Sequence, residues 1–357
     1  MNQHPNVHTP WQKWSEDQVL HIAAVYSNPF RWERRRRLFN DFVRHMSSQA
    51  NVCLWIGEVA FGERPFEVTE EGNPCHIRLR TDCALWNKES VINCVATHFP
   101  ADYKYGGYFD GDFTCTRHDW ALETIHLLQH YHWVQLFSSS IDVTGNVPHS
   151  NGGQKPYRVS PSFAFNYNHQ DEFFERRSAS NGSYNNKPSK VDRSIGFPFG
   201  LPSGMPGGAW AWRRGAFDQV GGLLDTCITG AADHHMAYGL IGSKNNHWEV
   251  ANCSNFHVRK IEAWAARASE LRHTPGIGIM GCLDQLIVHH YHGSKSKRGY
   301  EWRWKILQEH KFDPDFDLAR DFQGLWRWTG NKPALRDAIT AYFLSRNEDQ
   351  GSEKPLV

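Results

Sequence analysis

Three short stretches carry side chains able to do chemistry. In YFDGDF, Asp110 and Asp112 stand two residues apart behind a run of aromatic residues. In GAADHHM, Asp233 is followed by His234 and His235, and in LIVHHYHG an apolar run leads into His289, His290 and His292. Two carboxylates this close repel one another unless both are solvated in a turn or share a cation. Hard oxygen ligands suit Mg²⁺ or Mn²⁺, ions that also hold phosphate oxygens. Imidazole is the usual further ligand for a borderline divalent metal. Asp233, just before an expected helix, is either a cap or a proton acceptor. The same pattern thus has a plain structural reading and a catalytic one.

Those stretches need elements to hold them. VLHIAAVYS (19–27), NVCLWIGEVAF (51–61), CHIRLRT (75–81) and YKYGGYFD (103–110) read as strands. Helices are expected after the first strand and over 87–99, where Val91, Ile92 and Val95 share one side. Thr116, with Asp119 three residues on, resembles a capping box for a helix carrying Trp120, Leu127, Leu128 and Tyr131, after which WVQLFSSSI returns as a strand. Alternating strands and helices predict an open, mostly parallel α/β sheet whose ligands lie beyond the carboxyl ends of the strands, where Asp110 and Asp112 would sit. From 144 to 203 the texture turns to Gly, Ser, Asn and Pro, as in a lid or acceptor loop. Order resumes at PGGAWAWRRGAFDQVGGLLD: a strand, a helix from Arg214, and a glycine stop at Gly221 and Gly222. Two late helices are expected, one opened by Asp313 and Pro314, the other by Asn331 with Pro333 in its first turn. Leu335, Ile339, Tyr342 and Phe343 would form the buried face of the second.

Composition narrows the classes. Lys and Arg total 39 against 38 Asp and Glu, a net charge of +1 that argues against a protein coating nucleic acid by charge alone. Eight cysteines lie scattered without a CxxC pair, and no charged-then-apolar leader precedes Trp11, so a reducing cytoplasm is expected. No apolar run approaches the roughly 20 residues of a membrane helix. The 15 Trp, 12 Tyr and 21 Phe serve a core first, and stacking surfaces second.

Taken in order, LWNKESVIN, YFDGDF, GGAWAWRRGAFDQVGGLLD, GAADHHM and YHG followed by basic residues make the chain resemble nucleotide-sugar glycosyltransferases of the GT-A fold, over about 19–143 and 204–310. The resemblance implies a Rossmann-like, mostly parallel sheet flanked by helices. It divides the chain into a nucleotide-sugar-binding half (1–143), a polar insert or acceptor loop (144–203), a catalytic half (204–310) and a helical C-terminal extension (311–357). It also implies a UDP-sugar donor held through Mn²⁺ or Mg²⁺. Asp112 would ligate the metal, with Asp110 a ribose, water-mediated or metal ligand, and His292 or its rival His290 closing the shell. Asp233 matches the catalytic base of inverting members, although Ala231 and Ala232 stand where many members carry a second acid. Tyr26, Asn28, Arg35 and Glu58 fall where the family binds the nucleotide, and Lys88 and Lys295, with Lys297 and Arg298, would face the diphosphate. Basic clusters (Arg34 to Arg37; Arg176 and Arg177; Lys187, Lys190 and Arg193) and the aromatic content lean toward double-stranded DNA carrying hydroxymethylated pyrimidines as acceptor. Phage enzymes with that activity include GT-A members, and a phage-encoded chain would act in the host cytoplasm. A surface glycan, lipopolysaccharide core or protein is the alternative acceptor, and a sugar-nucleotide-binding module without turnover is the alternative of another class.

Overall fold

The structure, a computed structural model, describes residues 18–144, 154–169, 204–242, 253–300 and 302–350. The parallel strands β1 (Leu20–Ser27), β2 (Val52–Phe61) and β3 (His76–Thr81) are joined on the other side of β1 by β4 (Tyr105–Phe109). Two short strands, β5 (Phe113–Cys115) and β6 (Tyr131–Gln135), precede β7 (Ser139–Val143), β8 (Pro156–Pro161) and β9 (Ala209–Arg213). Strands β10 (Gly278–Cys282) and β11 (Leu286–His289) complete the set that builds the site. The large sheet runs β10-β6-β9-β4-β1-β2-β3, parallel except at β9, which is antiparallel to both its neighbours. A second sheet runs β5-β11-β7-β8. Strands from 1–143 and from 204–310 therefore share both sheets.

The strand runs are continuous because the large sheet is covered on both faces. On β1, Leu20, Ile22, Ala24 and Tyr26 pack with Phe39, Phe42 and Met46 of the helix Glu33–Ser47, while Ala23 joins Val91, Ile92 and Val95 of the helix Lys88–Ala96 on the other face. A smaller core gathers Leu307, Phe312, Leu335, Ile339, Tyr342 and Phe343, so the expected apolar face of the last helix, Pro333–Ser345, is the buried one. Gly221 ends the helix Arg214–Val220 at φ 76°, as its position in the sequence predicts.

Several local expectations give way to tertiary contacts. Thr116 caps nothing: its hydroxyl donates to the Leu286 carbonyl at 2.6 Å, and the helix starts at Trp120 without a side-chain cap. Tyr131 opens β6 instead of closing that helix, and the expected strand after it splits into β6 and β7 in different sheets. The helix opened by Asp313 spans only Pro314–Asp317. Asn331 donates to the Phe316 carbonyl instead of capping the last helix. Part of the polar insert is ordered structure, since β8 pairs with β7 and the helix Phe163–Asn168 follows with Ser162 as its N-cap. Arg176, Arg177, Lys187, Lys190 and Arg193 lie outside the described residues. Among the described residues no helix is long and apolar enough to cross a membrane.

Candidate metal centre

Asp112 sits in the turn between β4 and β5, and strand register brings two histidines to it. β11 runs antiparallel to β5 with His289 opposite Phe113, and the His290 amide donates to the Asp112 carbonyl at 2.8 Å. On its other side β11 is parallel to β7, with His289 opposite Asp142. The Nε2 atoms of His292 and His289 stand 3.2 and 3.8 Å from Asp112 Oδ2. These three side chains form a cluster compact enough for one ion. The second Asp112 oxygen, Oδ1, is buried without a hydrogen-bond partner among the described residues.

Supporting groups set the chemistry of this cluster. His289 Nδ1 pairs with Asp142, and His292 Nδ1 lies 3.0 Å from the His290 carbonyl, an acceptor only. The pairing with Asp142 puts the His289 proton on Nδ1 and leaves its Nε2 lone pair toward Asp112, whereas His292 Nδ1 also meets the Arg298 Nη2 donor at 3.2 Å. Burial lowers His289 to about 4, and burial with the neighbouring Arg298 drives His292 well below its ordinary value, so both rings are neutral. Burial opposes ionisation of Asp142 too, but His289 and Lys295 outweigh it and hold the carboxylate well below its usual range. Asp112 goes the other way, pushed up to about 7 by burial and then by the charge of Asp110. An unpartnered carboxylate oxygen beside two imidazoles brings three donor groups close enough together to hold one metal ion.

The cluster opens into a cavity of about 1220 Å³ lined by Tyr26, Arg35, Lys88, Asp110, Asp112, Asp233, His292 and Lys295, all anticipated from sequence. Asp110 is not in the three-residue cluster. Lys88 Nζ stands 3.0 and 3.4 Å from its two oxygens, and burial holds its carboxyl above the ordinary range against that cation's pull. Lys88 also stands 3.6 Å from Glu89 Oε1, whose other oxygen accepts from Trp86 Nε1 at 3.1 Å. Asp233 lies in the first turn of the helix Ala232–Leu240 and packs on Gly207, where a Cβ would fall 2.1 Å from Asp233 Oδ2. Its charge is felt at Lys88, Glu89 and Asp110, so these acids share one end of the cavity. Arg298, Arg303, Arg346 and Glu348 line the cavity as well.

Four sequence assignments are corrected. His290 lies outside the three-residue cluster: the alternation of side chains along the strand turns it to the opposite side, where Nε2 meets Thr114 Oγ1 at 2.8 Å and Nδ1 meets Gln154 Oε1 at 3.0 Å. His289 takes its place, and the phase it shares with buried Ile287 was the signal for it. Glu58 is outside the cavity lining, its oxygens taken by the amides of Glu67, Val68 and Thr69 and by the Thr69 hydroxyl. Asn28 likewise serves its own loop, bonding the amide and carbonyl of Trp32 at 2.9 and 3.0 Å and donating to Tyr26. Lys297 donates to the Gln350 side chain and does not line the cavity. Asp142, Glu89, Arg303, Arg346 and Glu348 were missed because nothing in their local sequence marks them. No family model matches the chain and no curated protein matches it, so the chemistry of the site is read from its own atoms.

Proposed function

We propose that this chain is a metal-dependent glycosyltransferase of GT-A organisation that moves a hexose from a UDP-hexose donor to an acceptor hydroxyl with inversion. The observation that carries this reading is the Asp112, His289 and His292 cluster, placed in one cavity with a cationic wall and an acidic one. A divalent ion held there supplies electrostatic stabilisation of a diphosphate leaving group. Arg35, Lys295 and Arg298 add positive charge on the same side, preorganised by burial. Tyr26 and Arg35, near the end of β1, line the part assigned to the nucleotide. Lys88, Glu89 and Asp110 present charged oxygens and an ammonium to sugar hydroxyls. Asp233 accepts the proton of the acceptor hydroxyl as that hydroxyl's oxygen bonds to the anomeric carbon and the diphosphate departs from the opposite face.

For the acceptor we propose a 5-hydroxymethylpyrimidine base in duplex DNA, supported by the arginine-rich start of the helix Glu33–Ser47 and by the sequence resemblance. A surface glycan, lipopolysaccharide core or protein would need the same donor chemistry.

The test is UDP release and sugar transfer with and without Mn²⁺. Asp112→Ala should reduce metal-dependent turnover by about 10³-fold or more, the scale of losing a preorganised charge-stabilising group. Nucleotide binding indifferent to metal, with no turnover for any UDP-hexose, would indicate a binding module without catalysis. Labelled sugar on hydroxymethylated but not on unmodified duplex supports the DNA acceptor; label on neither redirects the search to glycans.

A further inference from the structure

The cationic wall carries a carboxylate that neither the metal cluster nor the acid wall uses. Residues 346–350 follow the last helix and lie against the start of the helix Glu33–Ser47. Arg35 grips Glu348 through both ends of its fork, Nε at 2.9 Å from Oε2 and Nη2 on Oε1, while its Nη1 donates to the Ser27 carbonyl at 2.6 Å. Arg346 Nη2 stands 3.1 Å from Glu348 Oε1. Burial opposes the Glu348 charge, but Arg35, Arg346 and Arg298 overcome it and hold the carboxyl below its ordinary value. The side chain is 1% exposed and lines the same cavity as Asp112, His289 and His292.

Two features distinguish this from an ordinary buried ion pair. First, donors outnumber acceptors: Arg298 and Arg346 are 8% and 6% exposed, and the Nε of each is buried with no hydrogen-bond partner among the described residues. Guanidinium forks match phosphate oxygens two at a time; Glu348 takes Arg35 and Arg346, while Arg298 rests on Tyr300 Oη at 3.1 Å and His292 Nδ1 at 3.2 Å, leaving the two buried Nε donors over. Second, the segment is pinned from outside the cluster. Asp349 accepts from the amides of Glu33 and Arg34 at 3.1 and 2.9 Å, and Gln350 accepts from Tyr291 Oη and Lys297 Nζ at 3.1 and 3.2 Å.

We propose that Arg35, Arg298 and Arg346 form a binding site for a phosphate-bearing ligand, that Glu348 is its tethered occupant, and that the ligand enters by displacing Glu348 and loosening residues 347–350. That the ligand is a nucleotide diphosphate rests on the function proposed above; the phosphate site itself does not.

The probe is inorganic pyrophosphate, titrated calorimetrically in chelator so that no metal contributes. Glu348→Gln keeps the shape of the side chain and removes the competing charge, and should bind pyrophosphate about tenfold more tightly than the natural chain, because the competent state no longer has to expel its occupant. In the natural chain, which does not depend on the variant folding, pyrophosphate should speed amide exchange at Glu33 and Arg34 as Asp349 lets go. Equal or weaker binding by folded Glu348→Gln, slower or unchanged exchange at those amides, or no pyrophosphate binding by either protein overturns the proposal. Pyrophosphate contains neither sugar nor base, so failure to transfer sugar alongside these results would sink the proposed function and leave the phosphate site standing.

Discussion

Glu89 and Glu348 are the same residue, 3% and 1% exposed, and line one cavity, yet their charge is set in opposite directions. Burial raises Glu89 to about 7, because its one cation, Lys88, is shared with Asp110 and because Asp233 and Asp110 push the same way. Glu348 is lowered despite equal burial, since Arg35 and Arg346 pair with it and Arg298 adds to their pull. Depth alone does not decide ionisation; the company at that depth does. The acid wall is poor in positive charge and offers acceptors for hydroxyl groups, whereas the wall around Glu348 is rich in it and suits phosphate. The Asp112 cluster lines the same cavity.

A change confined to Asp233 should leave nucleotide binding alone. Asp233→Asn should cost transfer about 10² to 10⁴-fold while the affinity for UDP, measured by calorimetry, stays as it was. Transfer at the natural rate would remove Asp233 from the reaction. Gly207→Ala tests the same end without changing its charge. The added Cβ would fall 2.1 Å from Asp233 Oδ2, so the carboxylate must move, and misplacement on this scale costs up to about 10²-fold in turnover. A Gly207→Ala protein with unaltered turnover would show that the position of Asp233 is not critical.

The boundary between the walls can be probed through Asp142, which holds His289 and Lys295 but lies outside the three-ligand cluster. Asp142→Asn should weaken Mn²⁺ binding about 10 to 100-fold, the usual effect of losing a partner that orients a ligand. Undiminished affinity would mean that His289 is oriented by packing alone, through its stack on Phe113. The smallest effect is on pH. Asp112, pushed up to about 7, must lose its proton to bind a cation, so Mn²⁺ affinity should climb by about tenfold per unit below that value and level off above it. His289, at about 4, is already neutral across this range and adds no slope. An affinity that stays flat through neutrality would mean that Asp112 is ionised throughout and that the acid wall does not reach it.

Much of this arrangement was legible in residue order, and the failures share a cause. The runs 19–27 and 51–61 read as strands because burial on both faces leaves them continuously apolar, and Asp110 and Asp112 fell at a strand end as expected. His290 was favoured beside His292 over His289 because adjacency in sequence says nothing about strand phase until a neighbouring strand defines the inside. Glu58 looked like a ligand contact at the end of a strand. It became instead the acceptor for three successive amides of a loop about ten residues on, a competition that only folding sets up. Thr116 had the spacing of a cap, but β11 crosses it and offers a carbonyl.

Residue order by itself determines what depends on neighbours within a turn or two: the strand runs, the glycine stop at Gly221, the apolar face of the last helix and the presence of paired carboxylates. Backbone preference and periodicity act over that range. Tertiary structure alone decided which imidazole meets Asp112, that Asp142 stands behind it, and that Glu348 fills a space between arginines. Those partners lie far apart in the chain. Only the pairing of β11 with β5 and β7, and the docking of 346–350 on the first helix, bring their charges close enough to change one another.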